Sequence, residues 1–116
     1  MRVLMAVMVA ALLAGCASST MDEARARTPN KTLASAKADQ LVAQCAQFAW
    51  QDESVFGVDA AAYLQPGKAG GYTVYTRSAE TFVDIKADAA TTTVHFYAVA
   101  DSYVSKRRLA ALATCL

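Results

Sequence analysis

Three stretches between Tyr72 and Val99 alternate with a period of two: Tyr72-Thr73-Val74-Tyr75-Thr76-Arg77, Glu80-Thr81-Phe82-Val83-Asp84-Ile85-Lys86-Ala87 and Thr92-Thr93-Val94-His95-Phe96-Tyr97-Ala98-Val99. Their β-branched and aromatic side chains suit a pleated surface, and the short connections between them suit antiparallel neighbours. The pattern predicts a β-meander. Pairing Arg77 with Glu80 across Ser78-Ala79 places Tyr72 opposite Ile85, Val74 opposite Val83 and Tyr75 opposite Phe82. The first two pairs are apolar and face the core. A four-residue connection from Asp88 to Thr91 then sets Tyr97 beside Phe82 and His95 beside Asp84 on the opposite face. A three-residue connection would turn His95 and Tyr97 inward.

Helical periodicity flanks this block. Ala34, Ala38, Leu41, Cys45 and Phe48 fall at spacings of four and three, with Asp39, Gln40, Gln44 and Gln47 on the other side, which predicts an amphipathic helix from Thr32 to Trp50. Thr32 is its expected cap, and Trp50 a core plug at its end. Asp101 or Ser102 is expected to cap a second helix through Cys115, with Val104, Leu109, Ala111, Leu112 and Cys115 on its apolar side. Lys106-Arg107-Arg108 reads as a solvated face of that helix. Gln51 to Gly71 reads as a structured loop: Val55 to Val58 as a short edge strand, Asp59 capping one helical turn through Leu64, and turns at Pro66-Gly67 and Gly70-Gly71. The expected class is α+β in the order α-β-β-β-α. Both helices should lie on the apolar face of a three-stranded antiparallel sheet.

The amino end predicts a destination. After Met1-Arg2, Val3 to Leu13 is an unbroken apolar run, about half of the ~20 residues a spanning helix needs. Small residues close it at Leu13-Ala14-Gly15-Cys16, the layout of a cleavable export signal. This segment resembles the lipobox of bacterial outer-membrane lipoproteins. The resemblance implies diacylglycerol on the Cys16 thiol, cleavage before Cys16 and a membrane anchor of fatty chains, each buried methylene adding about 0.8 kcal/mol. Ala17 rather than Asp follows Cys16, which by the same resemblance implies transfer to the outer membrane, facing the periplasm. The expected organisation is a signal peptide over 1–15, a lipidated flexible tether over 16–31 and a small periplasmic domain over 32–116.

An oxidising compartment bears on the remaining cysteines. Cys45 and Cys115 are an even pair there, and one bridge is possible. It would join the two helices; the alternative is two buried free thiols.

Composition narrows the function classes. Lys+Arg total 11 against Asp+Glu 10, and removal of Arg2 with the signal balances them, so no field for nucleic acid arises. At 55% hydrophobic and 18% charged, the chain is not a charge-driven disordered one. His95 is the single histidine, with Asp84 its expected neighbour, yet no Gly-x-Ser-x-Gly or partnered serine accompanies them. No catalytic residue, metal ligand or cofactor is therefore assigned, and a non-enzymatic protein is expected. The aromatic row of Tyr75, Phe82 and Tyr97, with His95 and Asp84 beside it, is the candidate partner-binding face, unless Val55 to Leu64 folds over it. Helical Cys45, Trp50, Gly70-Gly71-Tyr72 and terminal Cys115 also resemble, loosely, a group of small proteobacterial lipoproteins without assigned activity. The combined expectation is an envelope accessory or adaptor that binds another envelope protein or a cell-wall component. The alternative is an inhibitor or immunity-type lipoprotein that plugs a cell-wall hydrolase with the loop Gln51 to Gly71.

Overall fold

The structure, a computed structural model, describes residues 17–116. The expected signal peptide and the lipidation residue Cys16 lie outside the described residues. The described chain is α+β. Helix α1 covers residues 17–25, β1 is Lys31–Ser35, and α2 is Asp39–Asp52. Then follow β2 (Ala62–Pro66), β3 (Tyr72–Thr76), β4 (Thr81–Asp88), β5 (Thr91–Ala98) and α3 (Tyr103–Ala113). The strands form one antiparallel sheet in the order β1-β5-β4-β3-β2.

The expected meander is its centre. Tyr72 pairs with Ile85, Val74 with Val83, Tyr75 with Phe82, Phe82 with Tyr97 and Asp84 with His95. Asp88 pairs with Thr91, so Ala89-Ala90 is a two-residue turn that sends His95 and Tyr97 to the face away from the core. Two edge strands were not expected. Tyr63 of β2 pairs with Tyr75, and Thr32 of β1 pairs with His95.

The first helix is therefore shorter than its sequence period predicts. Lys31–Ser35 is a strand because the open edge of β5 offers its backbone a ladder, and that tertiary pairing overrides weak local preference. Helix α2 starts at Asp39, with no side-chain cap from Ala38. It is also rotated from the expected face. Val42, Ala43, Ala46 and Trp50 are buried, whereas Leu41 and Phe48 are 59% and 61% exposed. The alanines let the helix lie close to the sheet, and Cys45 turns sideways to bridge Cys115.

The inner face of the sheet packs Val74, Val83, Ile85, Val94 and Phe96 against α2 and α3. Trp50 closes this core, its indole Nε1 donating to the Arg108 carbonyl at 2.9 Å. The Cys45–Cys115 disulfide fastens α2 to the chain end just beyond α3. Ser102 caps α3: its Oγ accepts from the Ser105 backbone N–H, while Ser105 Oγ accepts from the Ser102 N–H. Arg108 is 2% exposed, so the expected solvated face of α3 holds for Lys106 but not for Arg108. Arg107 pairs with Glu53 at 2.8 Å and lies 3.8 Å over the Phe56 ring.

Gln51 to Gly71 is more ordered than a loop. Glu53–Phe56 is a 3-10 turn ended by left-handed Gly57, and Ala62–Pro66 is strand β2 rather than a helical turn. Asp59 does not cap a helix; its Oδ1 accepts from the Ala61 backbone N–H at 2.7 Å. The loop from β2 to β3 folds tightly on itself. A Cβ on Gly67 would strike the Gly70 carbonyl oxygen, and one on Gly71 (φ 67°) would strike that of Ile85.

Candidate functional site

The site is built on the outer face of the sheet, where paired residues form rows across the strands. One row is aromatic. Tyr63, Tyr75, Phe82 and Tyr97 stand side by side across β2, β3, β4 and β5. Phe82 and Tyr97 stack with centroids 4.6 Å apart, and Tyr63 and Tyr75 meet at 5.2 Å. The adjacent row is polar: Gln65, Thr73, Asp84, His95 and Thr32.

The expected binding face is not open. Residues 17–25, expected to be part of a flexible tether, are helical, and Met21 of α1 is buried with Ala79, Phe82 and Tyr97. Phe82 is 2% and Tyr97 6% exposed. Ala17, Ala24 and Tyr75 pack at the margin of this cluster. The signal was present in the sequence: Ala17, Met21 and Ala24 fall at spacings of four and three, the stripe of a helix with one apolar side. Val55 to Leu64 does not cover the row; it makes the 3-10 turn and the edge strand instead.

A charged network fixes α1 in place. Arg25 Nε donates to Asp84 Oδ2 at 2.7 Å and Nη2 to Asp84 Oδ1 at 2.8 Å, a two-pronged pair. Thr73 Oγ1 donates to Asp84 Oδ1 at 2.7 Å and accepts from Arg25 Nη2 at 3.2 Å. Asp22 accepts from Arg25 Nη1 and, through its other oxygen, from Lys68 Nζ at 2.9 Å. The Asp84 hydrogen bond raises the guanidinium pKa of Arg25, partly offset by burial, while the Lys68 hydrogen bond holds the Asp22 carboxyl below the usual aspartate range. Arg25 also lies 5.2 Å from the Phe82 centroid. Burial, with the nearby Asp84 charge, pushes the Tyr97 phenol up.

This settles what Asp84 does. The register brings it beside His95 as expected, but its carboxylate oxygens accept from Arg25 and Thr73, and none of the described hydrogen bonds joins it to His95. Asp84 anchors α1.

Alongside α1, where the helix leaves the sheet uncovered, runs a groove of about 560 Å³. Arg25 and Asp84 form one wall, Lys68 and Gly70 another, and Lys86 and His95 line it from the strands. A second groove of about 430 Å³ follows the other flank of α1, between Arg27 and Val99. Sequence reasoning missed Arg25, Lys68, Thr73 and Lys86, because their meeting depends on α1 docking and on the folded β2–β3 loop. No group of three or more potential metal-ligating side chains occurs among the described residues, nor does a helix long and apolar enough to cross a membrane. Comparison with protein-family models, curated protein sequences and solved structures finds no match.

Proposed function

We propose that this chain is a non-enzymatic lipoprotein, anchored through fatty chains on Cys16 to the periplasmic side of the outer membrane, where it acts as an adaptor. Its partner is another envelope protein or a cell-wall component, and the binding site is the groove beside α1 rather than the aromatic row beneath the helix. The observation that carries this reading is the Cys45–Cys115 bridge, since structural disulfides belong to oxidising compartments and the lipobox-like Leu13-Ala14-Gly15-Cys16 supplies a route there. A membrane anchor raises the local concentration of any partner in the same envelope, so a groove of modest affinity is sufficient.

The test is metabolic labelling with a palmitate analogue in a Gram-negative host, followed by membrane flotation. The wild-type chain should carry label and float with outer membranes, and Cys16→Ser should lose both. An unmodified Cys16 thiol in the wild-type product would overturn the anchor.

One observation favours the inhibitor reading as a second function. Val55 and Phe56, at the turn between α2 and β2, are 80% and 55% exposed, the Phe56 ring carrying Arg107 on one face. On that reading Val55→Asp with Phe56→Asp abolishes inhibition of a peptidoglycan hydrolase, while Lys86→Gln leaves it intact.

A further inference from the structure

The walls of the α1 groove separate into groups that are already satisfied and groups that are not. Asp84, Arg25, Thr73, Asp22 and Lys68 form a closed network in which each charge meets an opposite charge. Lys86 enters none of the described ion pairs or hydrogen bonds, and neither does the His95 ring. Lys86 is exposed, and its side chain extends over Gly70, where a Cβ would come within 3.5 Å of Cε and 3.9 Å of Nζ. Thr93 pairs directly with Lys86 across the strands, and His95 is two residues along on the same face. Diagonal neighbours of this kind stand about 7–8 Å apart, so an ammonium, a hydroxyl and an imidazole edge one small area.

Charge decides what that area suits. Arg25 is answered by Asp84 and Lys68 by Asp22, so Lys86 is the groove cation outside that network, with Asp88 two residues along β4 and in no described ion pair with it. A carboxylate oxygen docked at Lys86 supplies the partner that the described ion pairs do not. Gly67, Ala69 and Gly70 on the loop side present only backbone and a methyl group, which leaves room for a small apolar body. The volume lies within the range of small-ligand sites, roughly 300–1,000 Å³.

We propose that this groove binds a ligand by its terminal carboxylate, such as the carboxyl end of a short alanine-rich peptide, with Lys86 pairing the charge and Thr93 and His95 donating to its oxygens. The proposal rests on the groove being the binding site of the adaptor, and it adds the chemistry of the group bound. The Arg25–Asp84 network is then the rigid wall that holds the site open.

The full chain, purified with its disulfide intact, is titrated with N-acetyl-alanyl-alanine, with the corresponding carboxamide and with inorganic phosphate, following backbone amide shifts of Lys86, Thr93 and His95. The carboxylate peptide should saturate these shifts, the carboxamide should bind at least tenfold more weakly, and Lys86→Gln should weaken the carboxylate peptide at least tenfold. His95→Gln, which keeps one donor, should weaken it less. Equal binding of the carboxamide, indifference to Lys86→Gln, or saturation by phosphate in place of the peptide would overturn the assignment. A photocrosslinker at Ala87 in intact cells separates the two levels. Crosslinks to an envelope partner without carboxylate binding overturn the ligand chemistry alone, and neither signal overturns the site as well.

Discussion

Arg108 is the residue whose environment least resembles its usual one. Its guanidinium lies among core side chains, Nη1 donating to Thr81 Oγ1 at 3.0 Å, while Nε has no hydrogen-bond partner. Burial lowers its pKa against the opposing pull of Glu80 and Asp59, neither of which forms an ion pair with it among the described residues. A buried cation with an orphan donor costs more than an apolar side chain of similar volume. Arg108→Met should therefore leave stability unchanged or raise it by roughly 1 kcal/mol, whereas Arg108→Ala, which opens a cavity, should lower it by about 2 kcal/mol or more. Urea unfolding of the two variants checks both, and a large loss in Arg108→Met would show that the guanidinium holds something the Thr81 contact does not reveal. The same residue shows why polar core positions escape sequence reading. In Lys106-Arg107-Arg108 the helical rotation alone decides that the third cation points inward, and that rotation is set by Leu112 and Ala111 meeting α2.

Elements differ in how far their own residues specify them. β3, β4 and β5 were legible with their register because, across the short connections after Thr76 and Asp88, one pairing keeps Val74, Val83, Ile85 and Val94 on a common face. β1 and β2 were not, since Lys31–Ser35 and Ala62–Pro66 become strands only when an open sheet edge accepts them. α1 falls between. Its apolar stripe is short, and much of its fixation comes from Arg25 reaching Asp84, a partner 59 positions away. Asp22, hydrogen-bonded by Lys68 and Arg25, gives α1 an acid response. Because the folded Asp22 carboxyl is held below its unfolded value, its contribution is complete above about pH 3.9 and is lost as pH falls through the folded value. Amide protection factors in residues 22–25, corrected for intrinsic exchange, should thus fall below about pH 4 before those of β4 and β5 do. Asp22→Asn should flatten that part of the profile. A profile unchanged by the substitution would assign the acid response elsewhere.

On the scale of the whole molecule, one strap and one bolt hold the architecture. β1 and β2 sit at opposite edges of the sheet and run in the same direction, so the chain between them must cross the inner face, and α2 is that crossing. The Cys45–Cys115 bond closes a separation of 70 residues that contains β2, β3, β4, β5 and α3. Without it, α3 is a terminal helix of 11 residues held to α2 by a few side chains, of which Ala111 and Leu112 are the buried apolar ones. In the chain-entropy description a loop of this length limits the unfolded ensemble by roughly 4 kcal/mol, a large share of the 5–15 kcal/mol available to a small domain. Cys45→Ser with Cys115→Ser should therefore lower the unfolding free energy by about 2–5 kcal/mol and steepen its dependence on denaturant, because the unbridged unfolded chain exposes more surface. Since α2 touches both the sheet and α3, the loss should appear as one cooperative transition at lower denaturant rather than as early release of α3. Two separated transitions in guanidinium, one followed by Trp50 fluorescence and one by far-ultraviolet dichroism, would show instead that the bridge fastens only the end of the chain.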